Sequence, residues 1–371
     1  MRPESATAGP TGVTRSFTPV PPIGPDRFAQ PDDYRVEIHD RIGAVEPAEW
    51  DAAVRAGGLP VFYAHRFLAA YERYPLAAID AFRYLVLRRR GAPGPPAAVL
   101  PAYLPRQPDP LSCLAPAYPL AAGQPALLSP SWHCYDGHLG GRDTGPGLAA
   151  AAVSALRGLA RDLGVGWCGV VNVRHGGPTA AALTAAGLPL LPLSERYAAD
   201  LRGVSDLEDL QLRGARPRAR VNLRRNRRRA YENDVRSAVL PVGEADLAGV
   251  AALCDQLANR YGTDRFYPVG TFERFLAELG PCAQVLEVRQ HGRLIAAGVC
   301  LLDEHSFHSW AGGADYEVDG NFSPYYVMFG ESVELALRLG LPTFEGGRGN
   351  PDFKLRQGLS ARRLDACLVP S

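Results

Sequence analysis

The sequence predicts an α/β fold with mixed sheets, built as two similar modules that face each other across a cleft. Two observations predict it. At 371 residues, the chain is long for one hydrophobic core and suits two. In each half, β-like runs are followed by a helix and then by another buried strand, which is the order of an α/β module. The similarity between the halves lies in this element order, because their residue identity is too low to indicate a repeat.

In the first module, residues 35–204, each element has a local signal. Pro47 opens a helix, and Phe67, Leu68, Tyr71 and Tyr74 have helical spacing. The turn-rich run GAPGPP joins two strands as a hairpin, and the Pro-rich passage 106–130 is predicted to be a loop along the cleft. The predicted strands are 34–39, 82–87, 97–104 and 167–173, and the predicted helices are 46–55, 63–74, 147–163 and 179–186.

A linker at 201–206 leads into the second module, residues 205–371. An Arg-rich helix over 213–229 is followed by three β runs joined by short turns, which predicts an antiparallel meander. Ser323 and Pro324 form a helix start, and Gly340 ends that helix. The other predicted elements are strands 235–240, 284–289, 294–302, 306–312 and 343–345, and helices 245–261 and 269–279.

Composition narrows the functional class. With 46% hydrophobic residues, 21% charged residues and a net charge of +1, the chain is typical of a soluble globular protein. The seven cysteines form no CxxC pair, which predicts neither disulfides nor a zinc site, and therefore a reducing compartment. The first 34 residues are predicted to be a disordered tail and not a signal peptide. No run is apolar enough to span a membrane, so a cytoplasmic location is expected.

The stretch 342–359, PTFEGGRGNPDFKLRQGL, holds the first candidate functional residue. Lys354 is the only lysine among 40 Lys and Arg residues. A planar, always-charged guanidinium cannot replace an ammonium that loses its proton or that faces a developing oxyanion. Lys354 is therefore a candidate catalytic residue, and a chance surface lysine is the alternative. Arg348 and Arg356 in the same stretch are candidate substrate-binding residues.

The Arg-rich segment holds nine arginines between Arg213 and Arg229 and no acidic residue. On a helix, one face carries Arg216, Arg220, Arg224 and Arg228, with Arg225 beside it. Such a face is suited to a phosphate backbone or to the phosphates of a nucleotide or CoA. The alternative is a solvated helix that acids elsewhere neutralise.

Three runs of the second half carry a family resemblance: RGARPRARVNLRRNRRRA, GRLIAAGVCLLDEHSFHSWAGGAD and SPYYVMFGESVELALRLGLPTFEGGRGNPDFKLRQG. They resemble the GNAT-like acyltransferase domain of Fem-related, peptidoglycan-bridge-type proteins and of BioF2-like acetyltransferases, over roughly residues 205–368. The resemblance implies two tandem GNAT-like domains that transfer an acyl or aminoacyl group to an amine. Fem enzymes take this group from aminoacyl-tRNA. Glu345, Arg348, Lys354 and Gly358 then occupy the characteristic loop of the family.

The identity of the acyl donor is predicted from the segment that stands where acetyl-CoA-dependent GNAT enzymes have their CoA-binding loop. GNAT enzymes that use acetyl-CoA carry an Arg/Gln-x-x-Gly-x-Gly/Ala loop at a helix N-terminus, where backbone N–H groups hold the pyrophosphate. Here that place reads DYEVDGNFSPYY, with no arginine and with a proline that lacks one of the donors. Arg161–Gly166 matches the pattern literally, but it leaves a helix and enters a strand. We therefore expect aminoacyl-tRNA as donor, with acyl-CoA as the alternative.

Amide formation needs a base and a donor near the oxyanion. Glu345, Asp315 and His308 are the candidate bases. Arg348 and Lys354 are candidates for carbonyl or phosphate stabilisation. Tyr325 and Tyr326, at a helix start, are candidates to protonate the leaving group or to bind substrate. For Glu345 the alternative is an ion pair with Arg348 or Arg356, for His308 a core position, and for Asp315 a turn cap.

The first half contributes an aromatic loop, Trp132-His-Cys-Tyr-Asp-Gly-His138. Its spacing is poor for a tetrahedral metal site, so no metal is predicted, and Trp132 and Tyr135 are expected to line the cleft. Arg174 and His175 follow a buried strand, where α/β ligand sites gather, and are candidate substrate-binding residues. The prediction is an N-acyltransferase with a small-molecule or peptide acceptor; a non-catalytic phosphate- or RNA-binding protein of the same fold is the further alternative.

Overall fold

The structure, a computed structural model, describes residues 33–91, 94–263 and 265–371. The predicted disordered tail falls almost entirely on residues 1–32, which lie outside the described residues. None of the helices in the described ranges has both the length and the apolar character that a membrane crossing requires.

Twelve strands and ten helices occur in the described residues. The strands are β1 (Tyr34–His39), β2 (Ile79–Arg89), β3 (Ala98–Pro105), β4 (Ala126–Ser129), β5 (Trp167–Arg174), β6 (Leu191–Asp200), β7 (Val235–Pro241), β8 (Ala283–Gln290), β9 (Arg293–Leu302), β10 (Ser306–Ala314), β11 (Thr343–Glu345) and β12 (Ser360–Pro370). The helices are α1 (Pro47–Ala56), α2 (His65–Arg73), α3 (Pro146–Asp162), α4 (Pro178–Ala185), α5 (Leu207–Gly214), α6 (Pro217–Glu232), α7 (Leu247–Arg260), α8 (Val269–Leu279), α9 (Pro324–Arg338) and α10 (Pro351–Arg356).

All twelve strands form one mixed sheet in the order β1-β2-β3-β4-β5-β12-β6-β11-β10-β9-β8-β7. The pairs β4–β5 and β10–β11 are parallel, and the other neighbours are antiparallel. The two halves repeat the same succession: one strand, two helices, three strands, a long helix, a strand, a short helix and a final strand. The predicted mixed α/β fold with two similar halves is confirmed.

The final strand of each half is exchanged into the other half. β12 ends the chain but lies beside β5, and β6 ends the first half but lies beside β11. The two exchanged strands pair with each other, from Ser360 opposite Ala198 to Ala366 opposite Leu191. The halves therefore share one continuous sheet, whereas the sequence predicts a separate mixed sheet in each half.

The helices cover both faces of the sheet. In the second half, α7 packs in one apolar cluster with Val285 and Val299, and α9 packs in another with Leu286 and Cys300. Because neighbouring residues of a strand point to opposite faces, α7 and α9 lie on opposite faces of the sheet. The α9 face also carries α5, α6 and α10, and α1, α2, α7 and α8 share the other cluster.

Three strands of the structure differ from what the sequence predicts. β4 lies at the end of the Pro-rich passage that was predicted to be a loop, and β6 and β12 were not predicted at all. The meander β8-β9-β10, joined by the turns at 291–292 and 303–305, is antiparallel as expected. Helix α9 starts at Pro324 with Ser323 at its N-cap, as predicted.

Candidate active site

A cavity forms where β10 and β11 separate. The two strands pair only from Ser306 opposite Thr343 to His308 opposite Glu345. Beyond this point β10 continues along β9. The chain after β11 instead stays on β6, because Gly346 N donates to Tyr197 O at 2.8 Å and Tyr197 N donates to Gly347 O at 3.1 Å. The gap between the strands is a cavity of about 160 Å³.

The cavity reaches from α7 on one face of the sheet to α9 on the other. Aromatic side chains and the glycine-rich bend after β11 make most of its wall, and two cations, Arg348 and Lys354, lie within it. Among the described residues, no aspartate or glutamate lines it. The other lining residues are Leu257, Tyr261, Tyr267, Ser309, Trp310, Ala311, Gly312, Tyr316, Tyr325, Met328, Phe329, Phe344, Gly346, Gly347, Gly349 and Asn350.

Lys354 lies on α10 and is only 6% exposed. Its Nζ stands 5.9 Å from the centre of the Tyr197 ring, a distance at which a ring face attracts a cation. Burial, and then the positive charge of Arg348, lower the pKa of Lys354 to about 7. An ordinary lysine is fully protonated at neutral pH, whereas this one is divided between the ammonium and the free amine.

Arg348 extends from the glycine-rich bend towards the first half. Its Nη1 donates to Asn172 Oδ1 at 3.2 Å, and its Nη2 donates to the carbonyl oxygen of Trp132. Both acceptors are neutral. Burial lowers the pKa of Arg348, although a guanidinium remains charged at any physiological pH.

Tyr325 lines the cavity at the start of α9, and burial raises its pKa, so the phenol stays protonated. Its ring packs edge-on against Phe353 with centroids 4.8 Å apart. Tyr326 packs on the same Phe353 ring at 5.0 Å and does not line the cavity. Arg356 is exposed on α10, and its carbonyl accepts a hydrogen bond from Arg216 N.

Glu345 lies behind the cavity wall, in a buried ionic network at the seam between the halves. Arg362 Nη1 donates to its Oε1 at 2.9 Å, and Arg196 Nη2 lies 3.8 Å from the same oxygen. Arg196 also pairs with Asp136 at 2.9 Å. Burial raises the pKa of Glu345. Its partners are therefore arginines of β6 and β12, and not Arg348 or Arg356.

His308 and Asp315 are also held by other groups. His308 is 1% exposed; its Nε2 lies 2.8 Å from Asp303 Oδ2 and its Nδ1 lies 3.1 Å from the Tyr135 hydroxyl. Asp315 pairs with Arg293 at 2.6 Å and accepts from Glu317 N, which caps the turn after β10. Neither side chain lines the cavity.

The substrate-binding residues predicted in the first half separate into two places. Trp132 lies near the site: its carbonyl accepts from Arg348, and its side chain lines a second cavity of about 560 Å³ between the halves. Tyr135 is buried against His308. Arg174 and His175 are exposed, with His175 Nδ1 2.7 Å from Asp365 Oδ2, and they line neither cavity.

Helix α6 lies on the α9 face. Four of the nine arginines pair with acids: Arg213 with Asp209, Arg224 with Glu208, Arg227 with Glu331 and Glu334, and Arg228 with Glu232. Among the described residues, no carboxylate pairs with Arg216, Arg218, Arg220 or Arg225. Acidic side chains therefore neutralise part of the Arg-rich segment, and its other arginines have no acidic partner among the described residues.

Several residues of the site had no signal in the sequence. Tyr197, Tyr261, Tyr267 and Tyr316 surround the cavity or Lys354, but a single tyrosine in one sequence carries no mark of its place. Within the described ranges, no cluster of three or more His, Cys, Asp or Glu side chains is arranged to hold a metal ion.

Residues 217–355, from the start of α6 to α10, match the family described as an acetyltransferase (GNAT) domain. No curated protein matches this chain.

Three solved structures share the fold along almost the whole chain. FemX is 12% identical with a TM-score of 0.61, covering 89% of this chain and 96% of its own. L-PGS from Bacillus licheniformis is 12% identical with a TM-score of 0.56, covering 87% and 91%. A tandem GNAT protein from the clavulanic acid biosynthesis pathway is 15% identical with a TM-score of 0.52, covering 91% and 98%. At these identities the likeness concerns the fold.

Proposed function

Because this chain is an acyltransferase of GNAT fold, we propose that it forms amide bonds by moving an aminoacyl group from aminoacyl-tRNA to an amine held in the cavity. The observation that carries the proposal is the place of Lys354, the one lysine of the chain, buried on the cavity wall with a pKa lowered to about 7. A base whose pKa lies near the working pH is the most effective one.

Lys354 acts as the base in this reaction. Its free amine takes a proton from the attacking amine while the new C–N bond forms at the ester carbonyl. The resulting ammonium stands beside the oxyanion, and the same proton passes to the leaving ribose oxygen as the C–O bond breaks. One side chain therefore serves as base and then as acid, and the reaction consumes no net proton.

The other acid–base candidates support this assignment by their positions. Glu345, His308 and Asp315 lie outside the cavity, and each is already held by charged or hydrogen-bonding partners. Tyr325 does line the cavity, and its raised pKa keeps the hydroxyl protonated. We assign Tyr325 a donor role towards the oxyanion or the leaving oxygen.

The donor approaches from the α9 face, where α6 and α10 meet. Arg216 N donates to Arg356 O at 3.0 Å, so the start of α6 adjoins the helix that carries Lys354. The unpaired Arg216, Arg218, Arg220 and Arg225 are suited to the phosphates of a tRNA acceptor stem. Arg224 and Arg228 are 64% and 70% exposed in weak surface pairs that a phosphate can replace. A charged tRNA as substrate places the reaction in the cytoplasm.

Acyl-CoA is the second candidate donor, favoured by the match to an acetyltransferase domain. In that case the same arginines hold the CoA phosphates. The start of α9 is a weaker pyrophosphate site than in acetyl-CoA enzymes, because Pro324 occupies its first helical position and supplies no N–H.

Binding titrations with charged tRNA, uncharged tRNA and acetyl-CoA, run side by side, test the donor. We expect tRNA binding that weakens steeply with salt and is lost when Arg216, Arg218, Arg220 and Arg225 are all changed to Gln. A matched variant changes four exposed arginines elsewhere, Arg35, Arg55, Arg106 and Arg202, to Gln and should bind as the wild type does. Stabilisation by acetyl-CoA alone would make acyl-CoA the donor.

Catalysis is tested with the donor that binds. Mass spectrometry of a mixed pool of amines after incubation should show new amides with the wild type and none with Lys354→Met. Equal product from both proteins would remove Lys354 from the reaction.

A further inference from the structure

The cavity contains two cations, the buried Lys354 and the partly buried Arg348, and, among its described lining residues, no carboxylate. The two hydrogen bonds of Arg348 go to the neutral oxygens of Trp132 and Asn172. These use two of the five N–H groups of the guanidinium. The group that lowers the pKa of Lys354 besides burial is Arg348 itself, which means that the two cations repel each other.

Arg196 is a buried arginine that, unlike Arg348, has acidic partners. It is 1% exposed and pairs with two carboxylates, those of Asp136 and Glu345. An uncompensated charge in a protein interior costs several kcal/mol, so buried charges are normally paired. The contrast indicates that the counter-charge of Arg348 arrives with a ligand.

The position of Arg348 indicates which substrate brings the charge. Its guanidinium is held by Trp132 and Asn172, residues of the first half. Lys354 and the free arginines of α6 lie instead on the α9 side, where the donor approaches. An anion on Arg348 therefore lies on the side of the first half, away from the arginines of α6, and we assign that side to the acceptor.

The size and lining of the cavity narrow the chemistry further. A volume of about 160 Å³ is below the 300–1,000 Å³ that drug-sized ligands or nucleotides require. It suits a group the size of an amino acid. The planar fork of an arginine matches a carboxylate with two parallel hydrogen bonds, and the tyrosine-rich wall suits an apolar or aromatic body.

We propose that Arg348 is the anchor of an anion subsite and that the amine acceptor carries a carboxylate, which binds there. This inference deepens the proposed function and rests on it for the identity of the acceptor. Arg348 is a substrate-binding residue in this scheme, and its bonds to Trp132 and Asn172 fix the direction of the fork.

The single lysine provides a direct probe. Protein labelled with ¹³C at lysine Cε, and free of lysine-containing tags, has one lysine resonance, whose titration reports the pKa of Lys354. A carboxylate on Arg348 cancels the repulsion that lowers this pKa. Benzoate should therefore raise the pKa of Lys354, and benzamide, which has the same shape and no charge, should not.

Variants separate an anion subsite from a structural clamp. Arg348→Gln should raise the pKa of Lys354 without any ligand, because a like charge is removed, and benzoate should then have no further effect. Arg202→Gln, at an exposed arginine away from the cavity, is the control and should behave as the wild type. If the Gln variant does not fold, the benzoate and benzamide comparison on the wild type still decides.

The outcomes distinguish this inference from the proposed function. Equal responses to benzoate and benzamide would overturn the subsite, whatever the enzyme activity. Inorganic phosphate acting at lower concentration than benzoate would assign the subsite to the donor and overturn the acceptor carboxylate. A benzoate-specific response in a protein that makes no amide would uphold the subsite and contradict the proposed function.

Discussion

From β1 and from β7 onwards, the two halves of the chain have the same succession of strands and helices. They differ at the gap between their two parallel strands, which is open in the second half and filled in the first. In the second half, the gap between β10 and β11 is the cavity with Lys354. In the first half, the gap beyond the β4–β5 pair is filled by residues 131–141. Gly137 N donates to Asn172 O at 2.8 Å, Asn172 Nδ2 donates to Cys134 O at 2.7 Å, and Gly140 O accepts from Val99 N.

The segment that fills the gap of the first half also contacts residues in and behind the cavity of the second half. Residues 131–141 supply the Trp132 carbonyl that holds Arg348, the Tyr135 hydroxyl that holds His308, and the Asp136 carboxylate that pairs with Arg196. A fold with two similar halves therefore need not have two sites: the gap of the first half is filled, and the segment that fills it contacts the residues behind the cavity of the second half.

The largest effect should come from the cavity. Lys354→Arg keeps the charge but cannot release a proton near neutral pH, so we expect kcat to fall about 10³-fold, or about 4 kcal/mol of activation free energy. The melting temperature should also fall, because a permanent charge is then buried beside Arg348. Rates of amide formation and thermal unfolding, measured on the same preparation, check this. Retained activity would contradict the base role.

The second-largest expected effect is on stability, when a methyl group is added at the filled gap or at the open one. A Cβ at Gly137 would lie 2.0 Å from Val171 O, whereas a Cβ at Gly349 meets nothing within 4 Å. Gly137→Ala should therefore lower the free energy of unfolding by about 2 to 3 kcal/mol, and Gly349→Ala should change it by less than about 0.5 kcal/mol. Urea unfolding of the two variants gives the difference. Equal stability would mean that residues 131–141 are not packed tightly.

The pH dependence of kcat/KM should come from Lys354 in the cavity. Below pH 7 the free amine of Lys354 decreases tenfold per pH unit, so kcat/KM should rise with pH and level off above about 7. The groups that face Lys354 are Arg348 and the tyrosines Tyr197 and Tyr325; the arginine stays charged and burial raises the pKa of both phenols. A flat profile between pH 6 and 8 would contradict the assignment.

The free energy of unfolding should also depend on pH through Lys354. The pKa of Lys354 is lower in the folded chain than in the unfolded chain, so the unfolded state binds more protons between about 7 and 10.5. The contribution of this group to stability therefore increases as pH rises through that window. Lys354→Met should remove this part of the slope, which denaturation at a series of pH values measures.

The smallest effect concerns α6, which has no described counterpart before β1 in the first half. Arg225→Ala removes a free cation and should weaken donor binding about threefold while lowering the salt slope by about 1. Arg35→Ala on β1 removes an exposed arginine that pairs with Glu37 and should change neither quantity. Binding isotherms at several salt concentrations check both. The same loss in both variants would indicate attraction by net charge alone.

The sequence was sufficient for the elements whose pattern is local. Helix α9 has its N-cap and its apolar face in one short segment, and the meander β8-β9-β10 has its turns between apolar runs. These features depend on neighbours along the chain, so one sequence contains them.

The exchanged strands could not be predicted because their charges are satisfied far away in the sequence. β6 reads LPLSERYAAD and β12 reads SARRLDACLVP, which resemble polar loops. In the fold, Arg196 pairs with Asp136 and Glu345, and Asp365 pairs with His175. A buried charged residue in a central strand is readable only when its partner is known.

The sequence offers Lys354 as a candidate site residue, but it does not contain the geometry of the cavity. Lys354 was singled out because no other lysine exists, which is a property of the composition. Its burial and its nearness to Arg348 depend on β10 and β11 diverging, a long-range event. For the same reason, the sequence offers Glu345 as a candidate base, with an ion pair to Arg348 or Arg356 as the alternative, whereas its partner in the fold is Arg362 on the unpredicted strand β12.

The exchange of β6 and β12 also determines how the chain can be divided. A cut in residues 201–206 would leave each fragment with a strand bound inside the other, so the fragments should stay together until they are denatured. Either fragment produced alone would lack its sixth strand and expose an unpaired sheet edge, which favours aggregation. The first half therefore completes its sheet only after β12 has been synthesised and has paired with β5.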